Sequence, residues 1–345
     1  MTEKILYTVV IVLALLLGGG LLLPGEVHVE RSIEIQRPVN TVFTVINRFE
    51  AFPSWSPWSD RDPDVNYRFS GPASGVGARM DWSGDPRLVG TGWMEITESR
   101  PNSVVRAQLV LEEQGQAETQ FTIERVAGGA RVIWSFDTDL LEGQGMFGAL
   151  MSRYFGLFFD RWIGGDFENG LRDLQSYAES LPGADFSGLE VELLVVEPVD
   201  ILYVSGPRSR ENKAIADGLA SAYQEISSFM VLHGIENAAQ PMALTRTWDD
   251  GSFSFEAAVP VQRVDIPATG NIQWGASPAG QAARVIHRGA YNGMAQSHEK
   301  LAAWMGAHGY SVGQVSWEQY ISDPGRTPVD KRLTHIYYLL AETNR

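Results

Sequence analysis

Val315-Ser-Trp-Glu-Gln-Tyr-Ile-Ser-Asp-Pro324, followed by Lys331-Arg-Leu-Thr-His-Ile-Tyr-Tyr-Leu-Leu340, reads as two β-strands around a proline-bearing turn. Side chains alternate along a strand, so Ser316, Glu318 and Tyr320 share one face while Val315, Trp317, Gln319 and Ile321 share the other. A carboxylate among aromatic side chains can hold a cation or polarise an electrophile in a small pocket. Glu318 is therefore the leading candidate site residue, with Tyr320 beside it. From the strand alone, a solvated glutamate on an outer face is the competing reading.

Upstream of these strands the pattern is mixed. Val191–Val196 and Ile201–Ser205 read as paired strands, and Glu211 to Val231 places Ile215, Leu219, Ala222, Ile226 and Phe229 at steps of three or four, an amphipathic helix. Strands follow near Met242–Arg246, Ser252–Pro260 and Ala282–His287, then a helix from Asn292 to about His308 closed by Gly309. The order is ββ-α-ββ and then β-α-ββ, two similar halves of ββ-α-β type. Leu181-Pro-Gly-Ala-Asp-Phe-Ser-Gly188 has turn composition and marks the boundary, with a linker over 182–189 and a C-terminal domain over 190–345.

The region 26–181 reads differently. Val27–Ile35 alternates apolar and polar residues as a half-buried strand, and Pro38 opens a helix with Val39, Val42, Phe43 and Ile46 on one face. Phe49 to Trp58 is an aromatic, proline-broken turn. Six strand-like runs follow: Asn66–Ser70, Ala78–Ser83, Gly92–Glu98, Val104–Leu111, Thr119–Arg125 and Arg131–Phe136. Met146 to Leu181 is then apolar at helical spacing, interrupted at Gly164-Gly165 where a kink is expected. A long helix laid across a curled antiparallel sheet leaves a cavity between the two. The fold class is α+β.

Composition narrows the chemistry. With 27 basic against 42 acidic residues the net charge is −15, and no basic footprint for nucleic acid exists. There is no cysteine, so disulfides, thiolate metal sites and thiol nucleophiles are out. The six histidines show no metal-ligand spacing, and no metal or other cofactor is expected. Gly71-Pro-Ala-Ser-Gly-Val-Gly77 lacks the lysine of a phosphate loop and suits a hairpin loop at the mouth of the cavity. No serine sits in a nucleophile elbow.

The uncharged run of 19 residues from Ile5 to Leu23 would span about 28 Å as a helix. Leu21-Leu-Leu-Pro-Gly25 offers no small-x-small cleavage site, so the run reads as an uncleaved transmembrane anchor, with 1–25 as anchor and flank. The very short head favours a single-pass protein with its bulk outside the cytoplasm.

Two resemblances emerge from these residues. Arg31-Ser-Ile-Glu-Ile-Gln-Arg-Pro38, Trp55-Ser-Pro-Trp58, Gly75-Val-Gly-Ala-Arg-Met-Asp-Trp82 and the long terminal helix resemble the START-like, helix-grip superfamily, also called polyketide cyclase-like or SRPBCC. That resemblance implies a hydrophobic ligand cavity and leaves the reaction open. Pro278-Ala-Gly280, Val285-Ile-His-Arg-Gly-Ala-Tyr291, Trp317-Glu-Gln-Tyr320 and Thr334-His-Ile-Tyr-Tyr-Leu-Leu340 resemble the GyrI-like effector-binding domain, a small-molecule module attached to many AraC-type and MerR-type regulators. It implies that Glu318 lies at a pocket floor. The DNA-binding helix-turn-helix of those regulators has no counterpart here, which points away from promoter binding.

Further pocket candidates are Tyr291, after Gly289 at a strand-to-helix transition, and Trp248 and Trp274, in loop-like segments near Gly251 and Gly275. Each also has an ordinary packing role as its alternative. The expected function is membrane-anchored binding of a hydrophobic or cationic aromatic small molecule. The alternative is a metal-independent hydrolase or cyclase with Glu318, and Tyr291, as acid or base.

Overall fold

The computed structural model describes residues 7, 8, 11, 17–112, 115–206, 212–247 and 253–341, which divide into two compact units at Asp185 and Phe186. In the first unit, β1 (Glu26–Ile35) leads into α1 (Val39–Ile46) and a 3-10 turn over Phe49–Ser54. Six strands follow: β2 (Asn66–Ser70), β3 (Arg79–Ser83), β4 (Thr91–Arg100), β5 (Val104–Leu111), β6 (Gly115–Val126) and β7 (Gly129–Asp139). They form one antiparallel sheet in the order β1-β7-β6-β5-β4-β3-β2, so the first and last strands meet and the rest run as a meander.

The long helix α2 (Met146–Ser180) covers this sheet with its C-terminal half, burying Gly164, Phe167, Leu171, Leu174 and Ala178. It runs as one continuous helix, so the expected interruption at Gly164-Gly165 does not occur. Gly164 has a different use: a Cβ there would collide with the Arg31 guanidinium, which reaches Asp160 at 2.9 Å and Glu168 at 3.0 Å. The absent side chain makes room for an arginine that ties β1 to the helix.

In the second unit the strands are β8 (Glu192–Val196), β9 (Asp200–Ser205), β10 (Met242–Thr247), β11 (Phe253–Pro260), β12 (Gln273–Ala276), β13 (Gly280–Arg288), β14 (Val312–Tyr320) and β15 (Leu333–Leu340). Helix α3 (Asn212–His233) follows β9, and α4 (Met294–Ala307) follows β13. The strand order is β12-β9-β11-β10-β14-β15-β13-β8, which reads the same from either end once the halves are exchanged.

Two expectations are corrected here. Strand β12 makes the second half ββ-α-ββ like the first, and the loop-like reading around Gly275 missed it because Trp-Gly-Ala carries almost no strand pattern. The segments Val191–Val196 and Ile201–Ser205 are strands but not partners: β8 pairs with β13, and β9 pairs with β11 and β12. Burial explains the separation. Strand β9 is buried on both faces through Ile201, Leu202 and Val204, as a central strand must be, whereas β8 exposes Leu193 and Val195. Each half thus donates its first strand to the edge of the other. The two crossovers are tied together, the Val199 amide donating to Ser277 Oγ at 3.0 Å and the Ser277 amide to the Val199 carbonyl at 2.8 Å.

Both helices lie on one face. Helix α3 packs through Ala222, Ile226 and Phe229 on Leu202, Ala257 and Val259, and α4 packs through Leu301 and Met305 on Ala283, Val285 and Ile336. The other face buries Ile201, Met242, Leu244, Trp317 and Tyr337. The middle of the helix-bearing face, over β10 and β14, lies between the two helices.

Among the described residues no helix is long and apolar enough to cross a membrane, and residues 5, 6, 9, 10 and 12–16 of the 5–23 run lie outside them.

Candidate functional site

Glu318 stands on that middle strip. Trp317 is turned into the opposite core, stacked on Tyr337 at 4.7 Å, so the pleat presents Glu318 and Tyr320 to the helix side. Ala243 is its direct partner on β10, and that small side chain leaves space beside the carboxylate.

Two side chains hold Glu318 and a third holds one of them. The Tyr320 hydroxyl donates to Oε2 at 2.8 Å, and His298 Nε2 lies 3.0 Å from Oε1. His298 Nδ1 is in turn 3.1 Å from the Tyr338 hydroxyl. A carboxylate only accepts, so a neutral His298 carries its proton on Nε2 and accepts from Tyr338 on Nδ1. The result is a directed chain, Tyr338 to His298 to Glu318. His298 and Glu318 keep 24% and 22% side-chain exposure, so the pair is open to one side.

Two more tyrosines complete the ring. Tyr223, from α3, sits 6.5 Å from the Tyr320 ring and donates to the Met242 carbonyl at 2.7 Å. Tyr291 lies 5.5 Å from Tyr320 on its other side, and the Arg332 guanidinium stands 5.5 Å over the Tyr291 ring. His287 anchors the turn that carries Tyr291, with Nε2 3.0 Å from the Ala290 carbonyl and Nδ1 3.0 Å from Ser297 Oγ.

Electrostatics sharpen the arrangement. Burial first, and the Glu318 charge second, push Tyr320 well above the usual phenol value and Tyr338 up to about 12. Tyr223 is raised by the same two causes in the same order. Tyr291 is raised by burial, partly offset by Arg332 and reinforced by Glu318. All four hydroxyls therefore stay protonated at neutral pH. What the cleft presents is a carboxylate surrounded by aromatic edges and neutral donors, a receptor for a cation or a polarised carbon.

Of the residues expected at the site, the structure brings together Glu318, Tyr320 and Tyr291. Trp274 lies elsewhere: it is on edge strand β12, four strands from β14, with its indole donating to the Ile266 carbonyl at 2.8 Å under Arg263. Trp248 falls outside the described residues. Sequence reasoning missed His298, Tyr223 and Tyr338. For His298 a signal existed, because Met294, His298, Leu301 and Met305 form one helical stripe and a histidine on an apolar stripe needs partners.

The first unit holds a space of its own. An apolar cavity of about 40 Å³ lies between sheet and helix, walled by Trp55, Trp58, Phe121, Trp134 and Phe167 among others. About 10–15 Å³ of such space holds one water, so the cavity admits on the order of three waters as it stands. Trp134 stacks on Phe167 at 4.2 Å and on Phe121 at 4.9 Å, and its indole donates to Thr119 Oγ1 at 2.7 Å. Trp55 Nε1 is buried without a hydrogen-bond partner among the described residues. Phe158 and Trp162, farther up the long helix, do not line the cavity and are 54% and 57% exposed. An open depression of about 180 Å³ sits at the β2–β3 hairpin loop, and Phe49 lines both spaces.

Residues 26–179 match the family profile described as polyketide cyclase / dehydrase and lipid transport, and residues 189–340 match the GyrI-like small molecule binding domain. The chain joins a polyketide cyclase-type domain to a GyrI-like domain. Both are small-molecule-binding folds, and the Glu318 cleft belongs to the GyrI-like one.

A comparison with curated proteins finds no match. Among solved structures, an uncharacterized conserved protein from Listeria innocua is 12% identical, covering 44% of this chain and 92% of its own, with a TM-score of 0.35. The C-terminal domain of EcmrR is 16% identical over 45% and 98%, with a TM-score of 0.35. A hydrolase from Listeria innocua is 13% identical over 44% and 92%, with a TM-score of 0.33. At these identities and scores no activity transfers to the GyrI-like domain described here.

Proposed function

We propose that the protein binds a small organic molecule bearing a cationic or electron-poor aromatic group over Glu318, and that residues 5–23 tether this binding unit to a membrane with both domains outside the cytoplasm. The observation that supports the binding reading is the Glu318 carboxylate, open on one side and ringed by Tyr223, Tyr291, Tyr320 and Tyr338. A ring of aromatic faces and edges around one negative charge suits a lipophilic cation better than an anion or a sugar. Trp274 and Trp248 have no part in this reading of the cleft.

Titration calorimetry with lipophilic aromatic cations tests it. Binding that weakens in Glu318→Gln supports the assignment, and cation affinity unchanged by that substitution removes Glu318 from the pocket. The tether is checked separately: the intact chain, Met1 included, should be recovered from the membrane fraction and identified by mass spectrometry.

A second reading rests on the Tyr338–His298–Glu318 chain. In a hydrolase or cyclase, Glu318 would take the proton of a water attacking an electrophilic carbon, with His298 holding the carboxylate in position. Turnover of such an electrophile, lost in Glu318→Gln and in Tyr291→Phe, would favour it over binding alone.

A further inference from the structure

Helix α2 has two halves of opposite character. From Gly164 onward it buries one stripe against the sheet and carries Asp166, Glu168, Asp173 and Glu179 against the single Arg172. Before Gly164 it exposes Phe147, Met151, Phe155, Phe158 and Trp162, at 76%, 46%, 55%, 54% and 57%. Their spacing of four, four, three and four puts all five on one helical face, about 22 Å long at 1.5 Å per residue. Side chains of this size at about half exposure present on the order of 500 Å² of apolar surface, near the upper end for one patch on a soluble monomer.

Charge follows the same division. Between Met146 and Gly165 the charged residues are Arg153, Asp160 and Arg161, in a chain of net charge −15. Asp160 is paired with Arg31 at 2.9 Å. The exposed stripe is therefore flanked by Arg161, with Arg153 on the far side of the helix and no free acid in this half.

The occupant is indicated by where the N-terminal segment lies. Gly20 is buried against this half of α2, where a Cβ would collide with Leu150 and Tyr154. Arg153 donates to the carbonyls of Leu21 at 2.9 Å and Leu23 at 2.8 Å. Leu17, Leu21 and Leu22 remain 52%, 67% and 88% exposed. The end of the apolar run is thus pinned to the helix that bears the apolar stripe.

We infer that the Phe147–Trp162 face of α2 lies on the surface of a lipid bilayer, an inference that rests on the membrane tether proposed above. An aromatic and apolar face on a helix whose other faces carry arginine is the composition of an interfacial helix. The stripe then holds the polyketide cyclase-type domain flat on the bilayer beside its anchor.

The chain has no cysteine, so single-cysteine variants report cleanly. Phe155→Cys, Phe158→Cys, Trp162→Cys and the control Ser176→Cys, on the acidic half, are made in the full chain and labelled with a nitroxide. They are reconstituted into phosphatidylcholine and phosphatidylglycerol vesicles, and relaxation by oxygen is compared with relaxation by a water-soluble nickel chelate. The expected result is severalfold greater relaxation by oxygen at the three stripe positions and the reverse at Ser176→Cys. Nickel-favoured relaxation at all four positions overturns the inference, and spin–spin broadening within the stripe overturns it in favour of a second copy of the chain. Flotation separates the two proposals: unlabelled protein that floats with the vesicles while the stripe labels stay in water keeps the tether and removes the stripe, whereas protein that does not float removes both.

Discussion

Glu318→Gln should discriminate between ligands by charge. The substitution keeps the volume and the acceptor for the Tyr320 hydroxyl, now 2.8 Å from the carboxylate. The amide nitrogen then faces His298, whose tautomer reverses so that Nε2 accepts and Nδ1–H donates to Tyr338. The scaffold is retained and the negative charge is lost. A unit cation about 4 Å from the carboxylate gains about 4 kcal/mol at an effective dielectric of about 20. With the carboxylate 22% exposed and both ions partly desolvated, the surviving difference is about 1–2 kcal/mol. That corresponds to a Kd weaker by about 5- to 30-fold. A neutral isostere of the same shape, measured in the same calorimeter, should change by less than about twofold, because its contacts are the tyrosine rings. Equal losses for cation and isostere would show that the substitution disturbs packing, and no loss for either would show that the ligand sits elsewhere.

Other perturbations follow from the same contacts. Thr119→Val keeps the shape of a buried side chain but removes the acceptor for the Trp134 indole, so the first unit should lose about 1–3 kcal/mol, read as an earlier tryptophan-fluorescence transition in guanidinium. Tyr338 is held protonated to about 12 in the fold, whereas a free phenol ionises near about 10, so its contribution is complete below about pH 10 and is lost as pH rises through about 12. Thermal unfolding should show this alkaline loss, and Glu318→Gln should shift it to lower-pH ionisation without abolishing it, since burial is the larger cause. Ala243→Glu sets a second carboxylate directly across from Glu318; the repulsion raises the pKa of the pair, so the variant's melting temperature should rise as pH falls toward about 4.

Alternation and turn chemistry made most strands legible, and the stripe from Gly164 to Ala178 made the long helix legible. What was hidden depended on the partner across space. Glu197-Pro198-Val199 has the length of a hairpin loop, yet the strands on either side of it belong to different halves of the sheet. Only the two-sided burial of β9 against the exposed β8 distinguishes a crossover from a hairpin, and burial on the second face comes from residues far along the chain. The same holds for the site. Glu318 and Tyr320 could be placed on one face because they are two apart, and Tyr291 could be placed near a transition. Tyr223, His298 and Tyr338 join them through α3, α4 and β15, a convergence no local pattern contains.

The internal symmetry explains why the cleft carries one charge and not two. Matching the halves by register and burial pairs α3–β10 with α4–β14 at a constant offset: Ile226 with Leu301, Met230 with Met305 and Met242 with Trp317, all of them buried. The same offset pairs Ala243 with Glu318, Thr245 with Tyr320 and Tyr223 with His298. The scaffold residues are apolar in both halves, while Glu318, Tyr320 and His298 each have a counterpart of different chemistry. Ala243 and Glu318 are also direct neighbours across the seam, so a carboxylate in both halves would place like charges side by side. One half therefore supplies the charge with its histidine and tyrosine partners. The other supplies the small residue that leaves space above it and the Tyr223 ring that closes it. The site thus arises from the difference between the two halves, and the single charge is what the proposed recognition of a molecule with one cationic end requires.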